Sequence, residues 1–224
     1  MDRKNLAKRG AFKVIAAFIL MALLLFLPAG TLHYGGGWLF LGLLGIPMLI
    51  LGAFLLWKDP ALLEKRLNAK EGERDQKRVI GLSALMFLAG FILAGLDFRF
   101  GWLPVPLWLT VTAAVLFLIG YALYAEVMRE NSYLSRTVEV QAEQRVVDTG
   151  LYGIVRHPMY AATLLLFLSM PLVLGSFVSF FVFLIYPVLI VLRIRNEEKV
   201  LAAGLKGYPE YMQRVKHRLI PFVW

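Results

Sequence analysis

Five stretches of this 224-residue chain contain no Asp, Glu, Lys or Arg: residues 14–30, 38–57, 79–96, 102–125 and 159–192. A helix needs roughly 20 apolar residues to cross the hydrocarbon core of a bilayer, and most of these stretches approach or exceed that length. They are therefore expected to be transmembrane helices. Composition agrees, with 59% hydrophobic and 17% charged residues against roughly 45–50% and about 25% in soluble proteins. A water-soluble monomer and a disordered chain are both excluded. The absence of cysteine removes disulfides, thiolate metal sites and thiol nucleophiles together.

The formal charge of +9 gains meaning from where the basic residues fall. Five Lys and Arg precede the first stretch, none lie in 31–37, seven in 58–78, one in 97–101, four in 126–158 and seven in 193–224. Twenty-three of 24 thus belong to one side. By the positive-inside tendency that side is the cytosol, holding the N-terminus, the 58–78 and 126–158 loops and the C-terminus. Nucleic-acid binding is not expected, because the basic residues flank spans and no recognition motif accompanies them. The basic start, apolar core and small Ala29 and Gly30 resemble a secretory signal, but the first stretch is read as a retained span.

As one straight helix, residues 159–192 would extend about 50 Å, far more than a bilayer core requires. Pro171, Gly175 and Ser176 supply breakers near the middle, and Arg156, Arg193 and Arg195 flank the two ends. An even number of crossings follows, hence a hairpin and a fold class of all-α integral membrane bundle with about six helices. Pro187 should kink the second arm. Between the second and third spans, Asp59 and Pro60 read as cap and first residue of an interfacial helix near 59–70. Trp38, Trp57, Trp102 and Trp108 are expected at the membrane–water boundary, and Gly35, Gly36 and Gly37 in a tight hairpin turn. Two regions result, 1–125 with four membrane helices and 126–224 with a cytosolic loop, the hairpin and a C-terminal helix.

Nucleotide-binding glycine loops, P-loops, His-Glu-x-x-His and Gly-x-Ser-x-Gly are all absent. His33, His157 and His217 are far apart in sequence, and no metal site is expected. Two polar clusters remain, one at each end of the hairpin. The first is Gly-x-Tyr-x-x-x-Arg-His-Pro-x-Tyr over 150–160, and the second runs from Arg193 through Glu197 and Glu198 to Tyr208 and Tyr211. Singly, such residues read as snorkelling or solvated charges. A hairpin, however, would bring both clusters to the same end of the bundle.

With the Arg-x-x-x-Glu-Glu run at 193–198 and Gly-Tyr-x-x-Tyr at 207–211, these motifs resemble the integral-membrane isoprenylcysteine carboxyl methyltransferase family and its phospholipid methyltransferase relatives. The resemblance covers about 126–224, and the first four spans match only as generic membrane helices. It implies a multi-pass methyltransferase that uses S-adenosyl-L-methionine as cofactor. Carried over by position, Tyr152, His157, Pro158, Met159 and Tyr160 would line the cofactor pocket, with Gln144, Arg145, Val146 and Val147 from the preceding loop. Glu197 would complete it, Glu198 and Gln141 are further cofactor positions, and Arg193 would face the methyl acceptor. Asn131 stands where relatives carry an asparagine. The loop 138–147 carries no motif of its own.

The chemistry of the residues agrees with that implication. S-adenosylmethionine carries a sulfonium, an ammonium, a carboxylate and an adenine, and Glu197, Arg156 and the tyrosines offer an anion, a cation and aromatic faces. The methyl group is already activated, so alignment and exclusion of water are the main tasks. A carboxylate acceptor would need no base and could be held by Arg193. An amine would first have to lose a proton, with His157, Glu197 and Glu198 as the nearby bases. The expected partner is a lipophilic small molecule or lipid-attached group. Two alternatives stay open: a sterol-reductase-like oxidoreductase using NADPH, which shares a similar Arg-His-Pro-x-Tyr ending, and a non-catalytic membrane protein.

Overall fold

The computed structural model describes residues 3–67, 74–134, 140–141 and 143–224. Those residues form an all-helical bundle without a strand. The helices are α1 (Arg3–Ala29), α2 (Gly35–Lys58), α3 (Pro60–Leu67), α4 (Arg74–Phe100), α5 (Leu107–Glu130), α6 (Pro158–Val173), α7 (Phe177–Phe183), α8 (Tyr186–Gly204) and α9 (Tyr208–Arg214). A 3-10 turn, Gly150–Gly153, precedes α6. Helices α1, α2, α4 and α5, and the α7–α8 arm from Phe177 to Gly204, are long and apolar enough to cross a membrane. The protein is an integral membrane protein. Helix α6 has 16 residues, about 24 Å at 1.5 Å per residue.

Residues 159–192 do fold back. The reversal lies at Gly175, with φ 82°, and at Ser176, whose hydroxyl accepts from the Ser179 amide at 3.0 Å and so caps α7. Pro171 stays inside α6 rather than ending it. The second arm breaks at Leu184 and Ile185 because Pro187 has no N–H for the Phe183 carbonyl and its ring crowds that oxygen. The resulting offset places Phe183 beside Phe87 of α4, with ring centroids 5.3 Å apart.

Helix α5 packs along α6 and α1 along α4, while α7 and α8 lean on α4. The central core is apolar and rich in rings, among them Phe40, Phe91, Phe117, Phe183 and Tyr186. At the end remote from the motifs, Asp97 is buried. It accepts from the Leu103 amide at 2.8 Å and from the Ser176 hydroxyl at 2.5 Å. Amides of Val105 and Phe177 donate to Gly175 and Leu103 carbonyls, tying the two loops together.

Gly35, Gly36 and Gly37 are not a turn, as the sequence suggests, but the first turn of α2. The chain reverses before them, with Gly30 at φ 69°. A Cβ on Gly36 would lie 2.6 Å from the Leu174 carbonyl oxygen, so the glycine permits helix-to-hairpin contact. Helix α3 begins as expected: Asp59 Oδ1 accepts from the Leu62 amide at 3.0 Å, and Leu62 is buried. It runs to Leu67, and positions 68–70 of the expected 59–70 helix lie outside the described residues.

Candidate functional site

The C-terminal ends of α5 and α8, the start of α6, and α9 surround a cavity of about 820 Å³, its open mouth included. It is built by ordinary local rules. Gly150 takes φ 51°, which starts the 3-10 turn, and a Cβ there would collide with the Glu130 carboxylate. Glu130 instead accepts from the Leu151 amide at 3.0 Å. The turn buries Tyr152, whose hydroxyl accepts from Asn131 Nδ2 at 2.9 Å and whose carbonyl accepts from the Tyr211 hydroxyl at 2.7 Å. His157 then stands at the N-cap of α6 with Pro158 at the first helical position, where a missing N–H costs no bond.

The two motif clusters, 33 residues or more apart in the chain, meet here. The Tyr160 hydroxyl donates to Glu197 Oε2 and accepts from Arg193 Nε, the latter at 2.8 Å. Gln76 of α4 holds the Arg193 carbonyl at 3.2 Å. Adjacent helical residues diverge by about 100°, so Glu198 faces away from Glu197. It is buried and gathers Arg156 Nε at 2.7 Å, His157 Nε2 at 3.3 Å and Arg218 Nε at 2.8 Å. Arg156 Nη1 also donates to the carbonyls of Val215 and Lys216 at 2.7 and 3.0 Å. Amides of Arg156 and His157 donate to the carbonyls of His217 and Arg218. The segment after α9 is thereby strapped across the start of α6.

Of the residues singled out in the sequence, Gln144, Arg145, Val146, Val147, Tyr152, Arg156, His157, Met159, Tyr160, Arg193 and Glu197 lie on the cavity wall. Gln141, Pro158 and Glu198 do not. Gln141 braces the loop, donating to the Tyr133 carbonyl at 2.6 Å while its amide donates to Gln144 Oε1 at 2.9 Å. Positions 138, 139 and 142 of the loop lie outside the described residues.

The wall also includes Asn131, Tyr208 and Tyr211, which the sequence motifs name, and Tyr133, Leu134, Leu201 and Leu205, to which the motifs assign no role. For Leu201 and Leu205 a signal was present: Arg193, Glu197, Leu201 and Leu205 recur every four residues, the spacing of one helical face. Tyr133 and Leu134 sit in a turn after α5 with no such pattern. Burial pushes the phenols of Tyr152, Tyr208 and Tyr211 above the usual tyrosine range, so each stays a neutral O–H. Among the described residues, no cluster of His, Asp and Glu could hold a metal ion.

Residues 108–206 match the phospholipid methyltransferase family. The resemblance to the isoprenylcysteine carboxyl methyltransferase and phospholipid methyltransferase group is thus shown over the stretch that carries both motif clusters as far as Glu198. Among curated proteins, the chain is 32% identical over 91 residues to Delta(14)-sterol reductase of Mus musculus, an alignment covering 39% of this chain. It spans only 22% of that relative's length.

Proposed function

We propose that this chain, with its phospholipid methyltransferase family region, is an S-adenosylmethionine-dependent methyltransferase acting on a lipophilic or lipid-attached acceptor. One observation carries the reading: the Tyr160 hydroxyl is bonded to both Arg193 and Glu197 on the wall of a single cavity. Glu197 offers an anion, Tyr152, Tyr160, Tyr208 and Tyr211 offer rings, and Leu134, Val146, Leu201 and Leu205 offer apolar surface. A cation over such a ring gains about 0.5–2 kcal/mol.

When bound, the cofactor supplies a methyl group activated by a positive sulfur and leaves as the neutral thioether S-adenosylhomocysteine. The protein's residues align and enclose. Tyr160 fixes the Glu197 carboxylate and the Arg193 guanidinium relative to each other, which is the kind of preorganisation that makes proximity effective. Arg193 can orient an anionic acceptor, and the apolar wall keeps water away. The half from 126 to 224 holds the cavity, while the half from 1 to 125 supplies membrane helices and the Gln76 brace. By the distribution of basic residues, the cavity opens at the cytosolic rim, where a soluble cofactor arrives from water and an apolar acceptor from lipid.

Titrating the purified protein in detergent with S-adenosylhomocysteine and, separately, with NADPH tests the reading. Binding of the first supports it. Binding of NADPH instead selects the oxidoreductase reading suggested by the Mus musculus relative's name. Transfer of label from radiolabelled methyl donor to a component of a lipid extract would then reveal the acceptor.

A further inference from the structure

Among the described residues, the cavity wall contains one fully buried side-chain polar atom without a hydrogen-bond partner. Among the described residues, two buried side-chain atoms lack a hydrogen-bond partner, Gln76 Oε1 and the Tyr208 hydroxyl. Only Tyr208 belongs to the wall. It is 4% exposed and opens α9 immediately after Gly207. Tyr211, three residues on, has its ring centroid 5.6 Å from that of Tyr208. Its hydroxyl is used within the protein, on the Tyr152 carbonyl. Of two phenols on one short helix, one is thus bonded within the protein and the other is not.

A buried hydroxyl without a partner costs folding free energy, and such groups are few in native proteins. Burial and the carboxylates of Glu197 and Glu198 keep this phenol protonated, so it remains a donor. Beside it, Arg156 has Nε on Glu198 and Nη1 on three carbonyls, those of Met212, Val215 and Lys216.

We propose that Tyr208 is a ligand-binding residue whose hydroxyl donates a hydrogen bond to an oxygen or nitrogen of S-adenosylmethionine held in the cavity. The inference rests on the methyltransferase reading and adds to it, because Tyr208 lies beyond the matched region 108–206. It makes α9, together with α5, α6 and α8, part of the binding wall.

The test uses the full chain in detergent as wild type, Tyr208→Phe and Tyr211→Phe, with S-adenosylhomocysteine as probe, since it keeps the carboxylate, ribose and adenine. Thermal midpoint without ligand and affinity by calorimetry are both read. For Tyr208→Phe the expected midpoint is equal or higher, since an unpartnered group is removed, while affinity falls about tenfold, or about 1.4 kcal/mol. Tyr211→Phe is expected to lower the midpoint, because it strands the Tyr152 carbonyl. Unchanged affinity in Tyr208→Phe, beside a wild type that binds, overturns the Tyr208 assignment and leaves the methyltransferase reading standing. A wild type that binds no S-adenosylhomocysteine overturns both. A lowered midpoint in Tyr208→Phe shows the hydroxyl bonded within the protein itself and also overturns the assignment.

Discussion

Tyr160 and Glu197 are joined across α6 and α8, the phenol donating to the carboxylate while it accepts from Arg193 at 2.8 Å. Glu198, the next residue, is turned to a different set of partners and is 5% exposed. Two neighbouring carboxylates therefore have separable duties, one toward the cavity and one toward the fold. Substitution should tell them apart.

Glu197→Gln keeps shape and the bond from Tyr160 but removes the negative charge. A hydrogen bond to a charged group contributes about 1.5–3 kcal/mol. Calorimetry should accordingly show S-adenosylhomocysteine affinity reduced roughly ten- to a hundredfold, with yield and thermal midpoint near wild type. Unchanged affinity would remove Glu197 from the ligand site.

Glu198→Ala should behave in the opposite way. It leaves Arg156, 6% exposed, without its carboxylate and releases Arg218, on the strap after α9, from α8. Breaking a buried pair from one side costs about 3–5 kcal/mol. The expected outcome is a large fall in thermal midpoint in detergent, or loss of folded protein. Glu198→Gln keeps one acceptor oxygen, enough for one of the two arginines, and should recover only part of it. A Glu198→Ala protein as stable as wild type would show that the network is not what holds the strap.

Much of this arrangement is legible in the sequence, for identifiable reasons. The hairpin follows from a charge-free run too long for one crossing, and Ser176 and Pro187 mark its turn and break because capping and a missing N–H act locally. Asp59 announces α3 in the same way. Long-range partnerships leave no such trace. Nothing in the spacing of Asp97, Leu103 and Ser176 reveals that they meet, and Gly36 looks like turn chemistry until Leu174 is seen beside it. The separation of Glu197 from Glu198 needs the helix around which they are displayed. The strap from His217 to Arg218 is invisible for the same reason, since its bonds to Arg156 and His157 use backbone atoms.

Arg193→Ala should impair turnover more than cofactor binding. Its side chain lies on the cavity wall and donates to Tyr160, and Tyr160 retains Glu197 when the arginine is gone. With the acceptor found from the lipid extract, turnover is expected to drop by more than tenfold while S-adenosylhomocysteine affinity changes by less than threefold, a pattern of lost transition-state contact. Equal losses in both would assign Arg193 to the cofactor instead.

The orientation of the bundle yields the remaining prediction. The chain has no cysteine, so single introduced thiols report without background. Lys8, His33 and Glu210 are all exposed. Position 33 lies between α1 and α2, at the end remote from the cavity, while position 210 lies on α9 beside it. Position 8 precedes the first charge-free stretch, among five basic residues. If those residues face the cytosol, then in sealed, right-side-out vesicles an impermeant maleimide should label His33→Cys at once. Lys8→Cys and Glu210→Cys should be labelled only after permeabilisation. Labelling of Glu210→Cys from outside would move the cavity to the opposite face, where a cofactor made in the cytosol could not reach it. Opposite behaviour of Lys8→Cys and Glu210→Cys would mean an odd number of crossings between them, and α6 would then not be a full arm of the hairpin.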